Sequence, residues 1–432
     1  LDKLKTLIKD VLVVTMVEGI TPFRGDILLE GDSITAIHPL ITDDVNEVIQ
    51  GKGMIAMPGL INAHQHSPMS LLRGFSDDLK LMDWLEKKML PAEARMTPED
   101  IYWGSKLAMA EMIKSGTTAF ADMYIQMNEI ALAVEEVGMR ASLTRGLVFL
   151  QDDGGRRVQE ALDLIDRWSG KAQGRITTML GPHAPYTCLP EPLKEIISLA
   201  VKRNIPIHIH LAETKEEVIQ MREKYQQTPT EYLYQLGLFE QAHVLLAHGV
   251  HLNHRDIGLL KGMRGGVAHN PVSNLKLGCG IAPIMDLLRF GITVGIGTDG
   301  AGSASTLDMF EEIKAATWLQ KLDYGDPTVL PARQVLRMAT IESAKLLKID
   351  SEVGTLEVGK KADIILIDGN KPHLLPLHNV ESALAYCVNG ADVDTTIVNG
   401  KLLMRHRQLL TINEEELFKQ VSVRAKRIVE GI

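Results

Sequence analysis

Three cysteines in 432 residues are too few and too scattered for a disulfide framework. Cys188, Cys279 and Cys387 form no C-x-x-C pair. The chain therefore reads as one that works in a reducing compartment, and a cytoplasmic location is expected. No apolar run approaches the roughly 20 residues needed to cross a bilayer. The first residues, LDKLKTLIKD, contain no signal-peptide core and no initiator Met, and are read as the trimmed start of a cytoplasmic chain. Neither sign of charge dominates: 46 basic residues against 55 acidic give a net charge of −9. That is mild for this length and offers nucleic acid or a membrane no reason to bind. The common nucleotide and metal signatures are missing as well. There is no G-x-x-x-x-G-K-[ST], no H-E-x-x-H, and no H-x-E…P-C-x-x-C of the small zinc deaminases. Gly295-x-Gly297-x-x-Gly300 matches a dinucleotide fingerprint in form only. It lies inside a late apolar run and contains Asp299.

What is present is a folded composition, 45% hydrophobic and 23% charged, on a chain too long for one ordinary domain. Residues from about Thr6 to Met57 read as short strands: LIKDVLVVTM, GDILLEGDSITAIHP and VIQGKGMIAMP. The C-terminal stretch reads the same way in KADIILID and DVDTTIVNGKLLMRHRQLL. The economical reading joins both ends, 1–57 and 358–432, in one composite β-sandwich. Two separate small domains are the alternative.

Between them, over 58–357, apolar runs alternate with amphipathic stretches of helical length, such as PEDIYWGSKLAMAEMIKSG. The eight runs are MIAMPGLINAH, TTAFADM, RASLTRGLV, ITTMLGPHA, IPIHIHLAE, HVLLAHGV, GGVAHNP and ITVGIGTDG. Eight such units favour an α/β fold of the (β/α)8 TIM-barrel type, with its active site at the C-terminal strand ends.

Polar groups gather at those ends: His64 and His66, His183, His210 and Glu213, His248, His269, and Asp299. His64 and His66 are two apart and on an extended chain point the same way. Alone, such a pair is as readily a hydrogen-bonded core feature. With His210 and Asp299 at equivalent ends, it becomes a set of three imidazoles and a carboxylate for one divalent ion, Zn2+ or Fe2+. Glu213 could shuttle protons beside that ion, or complement a helix start. His248 could orient a water, or bond to backbone. His208 shares the His210 face but lies deeper, as a core residue or one that backs the ligands without being one itself.

The motifs PGLINAHQHSPMSLLRG, HIHLAET, LAHGVHL, HNPVSNLKLGCGIAP, IGTDGAGSASTLDMFEEI and VGTLEVGKKADIILID resemble the amidohydrolase superfamily over almost the whole chain. Within it they look most like the 5′-methylthioadenosine/S-adenosylhomocysteine deaminases. Triazine hydrolases and guanine deaminases are close cousins. The resemblance implies the barrel, the composite sandwich, and one divalent metal per subunit, usually zinc, held by His64, His66, His210 and Asp299. The lysine that bridges two metals in many relatives is absent from TTMLGPHAPY, in keeping with a single ion. The resemblance further implies catalytic roles for Glu213, His248 and Asp299, the first and last also touching substrate. Glu93 matches a ribose-binding glutamate, and Arg145 and His183 match further substrate contacts. Leu90 stands where many members carry Trp.

The expected reaction is hydrolytic deamination of an adenosine by a metal-activated hydroxide. Its small-molecule partner is a purine nucleoside, and a homo-oligomer is a family expectation. Aminohydrolysis or chlorohydrolysis of guanine, cytosine or an s-triazine is the alternative, and a non-catalytic metal-binding protein a remote one.

Overall fold

The computed structural model describes residues 4–151 and 153–432. Two sheets organise it. Eight parallel strands, numbered β1 to β8, lie in chain order around one sheet: Leu60–Gln65, Thr117–Tyr124, Arg140–Leu147, Ile176–Pro182, Ile207–Leu211, His243–His248, Arg264–His269 and Thr293–Ile296. Helices such as Pro98–Lys114 and Pro190–Arg203 connect them, as the amphipathic stretches foretold. The first of these begins with a capping box, Thr97 against Asp100, and has Pro98 in its first turn.

The barrel closes between β8 and β1 without a regular ladder. Asp299 N–H donates to His64 O at 2.9 Å. The Asn62 side chain substitutes for the missing pairing: its Oδ1 accepts from Thr298 N–H at 3.0 Å and its Nδ2 donates to Thr298 Oγ1 at 2.7 Å. Gly297 permits this close approach, since a Cβ there would stand 2.7 Å from His64 N. The seam thus ties the His64 strand to Asp299 directly.

Inward-facing Ile61, Ala63, Ala119, Ala121, Met179, Leu245 and Ala268 fill the lower barrel and pack against Ile341, Leu346 and Ile349 of the segment after the last barrel helix. This apolar floor leaves the polar groups at the opposite, C-terminal ends of the strands.

The other sheet is mixed and nine-stranded, and it draws on both ends of the chain. Its order is Gln408–Leu409, Lys401–Arg405, Val393–Val398, Ile364–Asp368, Met54–Pro58, Lys5–Val13, Phe23–Glu30 and Ser33–His38, with Glu47–Gln50 paired to Lys5–Val13. It is one continuous hydrogen-bonded sheet. Ile27, Leu29 and Ile34 from one end meet Ile364, Leu366 and Ile397 from the other in one apolar cluster, so it folds over its own inner face.

The run MIAMPGLINAH, read as a single barrel strand, is two. Met54–Pro58 belongs to the terminal sheet and only Leu60–Gln65 to the barrel. Gly59 marks the crossing: a Cβ there would lie 2.0 Å from Thr118 Oγ1. The C-terminal stretch is also not β throughout. Glu414–Val429 forms a helix that lies on the barrel helix Pro98–Lys114. No helix among the described residues is long and apolar enough to cross a membrane.

Candidate metal centre

The four expected ligands stand on three strand ends that the barrel brings to one place. His64 is the next-to-last residue of β1, and His66 follows the strand, past a register irregularity between Asn62 and Gln65. His64 Nε2 lies 3.5 Å and His66 Nε2 3.2 Å from Asp299 Oδ1. The His210 ring, on β5, is centred 4.8 Å from that of His64 and 5.5 Å from that of His66. His248, ending β6, joins His64 and His210 in a group whose ligand atoms lie within 4.8 Å of one another. Glu213, His248 and Asp299 form a second such group, with Glu213 Oε2 3.8 Å from His248 Nε2. A third such group is His64, His66 and Asp299, so Asp299 belongs both to an imidazole set and to the set with Glu213 and His248.

Backbone strain marks the same positions. Ala212, His248 and Asp299 adopt positive φ of 49°, 77° and 64°. Non-glycine residues accept this at a cost of about 1–3 kcal/mol each, and such residues cluster at functional sites. At each of these positions it turns the chain sharply at a strand end, where Glu213, His248 and Asp299 are needed.

Asp299 and three of the histidines are held from behind. Asp299 Oδ2 accepts from Ser273 Oγ at 2.7 Å and Ser303 Oγ at 3.0 Å, and Oδ1 accepts from Gly300 N–H at 2.8 Å. His248 Nδ1 lies 3.0 Å from Asn274 Oδ1. The short helix Pro271–Lys276 after β7 therefore steadies Asp299 through Ser273 and His248 through Asn274. His66 Nδ1 meets Met123 O at 2.6 Å, and His210 Nδ1 meets His183 O at 2.8 Å. Buried Asp122 accepts from Ser67 N–H at 3.1 Å and from its hydroxyl, anchoring the turn after His66. Its burial raises its pKa to about 6.

The donor set fits a divalent ion. His64 Nε2 is buried with no hydrogen-bond partner, an orphaned polar atom that such an ion would satisfy. Burial drives His64 down to about 3 and His210 well below the usual histidine range, so both stay neutral. Burial alone would raise Asp299, but the imidazoles of His64 and His66, 3.5 and 3.2 Å from its Oδ1, hold it well below the ordinary carboxylate range. Burial also opposes charge on His66, yet Asp299 draws it up to about 9. A bound cation competes with that proton. Burial raises Glu213 above the ordinary glutamate value.

The remaining candidates divide. His183 adjoins His210, ring centres 4.8 Å apart, and burial lowers it to about 4. Glu93 joins the cluster through Tyr124, whose hydroxyl donates to Glu93 Oε1 at 2.6 Å and whose ring lies 6.3 Å from that of His66. Arg145 is not brought into the cluster by its hydrogen bonds. Its guanidinium donates to Glu160 at 2.8 Å and to Gly146 O. Leu90 is half exposed. His208, read as core or as backing the ligands, is fully buried, and its Nε2 lies 2.8 Å from His64 Nδ1. Sequence reasoning assigned no role to Ser273, Asn274, Ser303 or Tyr124. The first two lie inside HNPVSN, and their number of polar groups directly after an apolar run was the available signal.

The sequence pattern of the amidohydrolase family matches residues 55–403. A 5-methylthioadenosine/S-adenosylhomocysteine deaminase of Desulforudis audaxviator (strain MP104C) is 47% identical over 414 residues, 95% of this chain and 96% of its own. The protein of the same name from Caldanaerobacter subterraneus subsp. tengcongensis is 48% identical, over 98% of this chain and 99% of its own. Among solved structures, an adenosine deaminase from Xanthomonas campestris with bound zinc superposes with a TM-score of 0.95 at 32% identity, covering 99% of each chain. Atrazine chlorohydrolase from Arthrobacter aurescens TC1 with zinc gives 0.91 at 26% identity, covering 97% of this chain and 100% of its own.

Proposed function

The chain belongs to the amidohydrolase family, and on that premise we propose that it deaminates the adenine ring of 5′-methylthioadenosine, S-adenosylhomocysteine or a related adenosine, giving the inosine analogue and ammonia. It is a metal-dependent hydrolase acting on C–N bonds. The observation that carries the substrate reading is the sharing of Asp299 between an imidazole set suited to a metal and the acid–base pair Glu213 and His248. Relatives named for this reaction at 47–48% identity over nearly their full length support it.

In this proposal His64, His66, His210 and Asp299 hold one zinc ion per subunit. A divalent ion there supplies Lewis acidity, which brings the ionisation of water to about neutral pH. The side chains do the rest. Glu213, disposed by burial to keep a proton, delivers it to ring N1 and makes C6 electrophilic. His248, fixed through Nδ1, turns Nε2 towards Glu213 and orients the attacking water. Asp299 takes a proton from that water as its oxygen bonds to C6. The same proton goes to the exocyclic amine, the C6–N bond breaks and ammonia leaves, while the remaining hydroxyl proton passes to Glu213, forming the C6 carbonyl and restoring the acid. Glu93, steadied by Tyr124, accepts from the ribose hydroxyls. His183 and Arg145 make further substrate contacts, Arg145 sharing its guanidinium with Glu160. The catalytic unit is the barrel of 58–357, with 1–57 and 358–432 as the composite domain.

A barrel of this kind also serves atrazine chlorohydrolase, so fold alone does not choose the leaving group. The test is ammonia and chloride release by the zinc-loaded protein on adenosine, methylthioadenosine, S-adenosylhomocysteine, guanine, cytosine and a chlorotriazine. Ammonia from the nucleosides is expected. Turnover confined to the other heterocycles would replace this reading with that of a different heterocycle hydrolase. Turnover of none would leave a metal-dependent binding protein.

A further inference from the structure

In a ligating histidine, the partner of one ring nitrogen decides whether the other is free for an ion. His66 and His210 each direct Nδ1 at a backbone carbonyl, Met123 O and His183 O. A carbonyl only accepts. In the neutral ring, the form that can bind an ion, each Nδ1 therefore carries the proton and each Nε2 keeps a lone pair.

His64 is different. Its Nδ1 lies 2.8 Å from Nε2 of His208, a second imidazole that could donate or accept. If His208 donated, His64 would carry its proton on Nε2 and be closed to an ion. If His208 accepts, His64 Nε2 presents a lone pair. That atom is buried, has no hydrogen-bond partner and lies 3.5 Å from Asp299 Oδ1. His208 sits on β5 two residues before His210, so the strand that supplies one member of the set also supplies the partner of another. Its own Nδ1 is buried without a partner. That arrangement has a cost in stability, which an apolar residue of similar size would avoid.

We infer that His208 is a positioning residue for the metal set: neutral, it accepts at Nε2 the proton of His64 Nδ1 and so fixes His64 Nε2 as the atom open to the ion. His208 touches neither ion nor substrate. The inference rests on the reading of His64 as a ligand.

Zinc affinity of the full chain, measured by competition with a chromophoric chelator, tests it. His208→Leu should weaken zinc binding by about 10–100-fold, the usual effect of losing such a partner. His208→Gln, whose side-chain oxygen can accept the same hydrogen bond, should stay close to wild type. Equal affinity in wild type and His208→Leu, or an equal loss in both variants, overturns the inference. The zinc-loaded wild type with 15N-labelled histidine gives a second readout that does not depend on a variant folding. A nitrogen–nitrogen coupling through the hydrogen bond, with the proton on His64 Nδ1, is expected. A proton on His64 Nε2, or no coupling, overturns it. Zinc binding by wild type tests the ligand set itself, whereas the contrast between variants tests His208 alone.

Discussion

Asp299 bears more of the account than any other residue. It faces His64 and His66 through Oδ1, takes two serine hydroxyls on Oδ2, and closes the barrel seam through its backbone. Asp299→Ala should lose both bound zinc and turnover, checked by elemental analysis beside an ammonia assay. Retained zinc at wild-type stoichiometry would take Asp299 out of the ligand set. Glu93→Ala should raise KM for nucleosides and leave that for free adenine unchanged, since adenine has no ribose. An equal rise for both would end the ribose role. At this scale much was legible in the sequence. His64, His66, His210, His248 and Asp299 each follow directly on an apolar run, where a barrel puts chemistry. Ser273, Asn274 and Ser303 were not legible as partners, because their reach depends on the left-handed turns at His248 and Asp299. For Arg145 the motif suggests a substrate contact, and the structure adds a hydrogen bond from its guanidinium to Glu160 that no local pattern announces.

Among the elements, periodicity identified the barrel strands and their helices but not where one sheet hands over to another. MIAMPGLINAH is apolar throughout because both halves are buried, one in each sheet. Only the contact of Gly59 with Thr118 divides them. The helix Glu414–Val429 is held at a distance from its sequence neighbours. Arg424 Nη1 donates to Asp100 Oδ1 at 3.0 Å, and Arg427 pairs with Asp100 Oδ2. No local pattern announces a bond spanning more than 300 residues of chain. Burial would raise the Asp100 pKa, but Arg427, Thr97 and Arg424 hold it below the ordinary value. A depressed carboxylate stabilises the fold above its unfolded pKa, about 3.9, and that contribution fades as pH falls through the lower folded value. Asp100→Asn should therefore destabilise the protein by about 1.5–3 kcal/mol near neutrality. The difference from wild type should shrink below about pH 4. Urea unfolding across pH reads both, and a difference independent of pH would contradict the charge-based account.

In the molecule as a whole, the barrel and the terminal sheet are joined by buried charge as well as by apolar packing. Arg140, at the start of β3, donates to Asp363 at 2.8 and 3.1 Å and to Asn399 at 3.2 Å, with Arg140 and Asp363 both 2% exposed at their side chains. Removing one partner of a buried pair typically costs about 3–5 kcal/mol. Arg140→Ala should lower the unfolding free energy by that order, and a change under about 1 kcal/mol would mean that apolar packing alone couples the two parts. The composite origin of the sheet was legible because both chain ends carry the same strand pattern. The seam joining β8 to β1 was not, since it runs through the Asn62 side chain instead of a ladder. The central claim is that an imidazole–carboxylate metal set and a proton-handling glutamate form one deamination centre. Comparing Glu213→Gln with wild type at matched zinc content tests it most directly, with methylthioadenosine as substrate and released ammonia as readout. The account predicts unchanged zinc stoichiometry and a kcat lower by about 10²–10⁴-fold; near-normal turnover in the variant would contradict it.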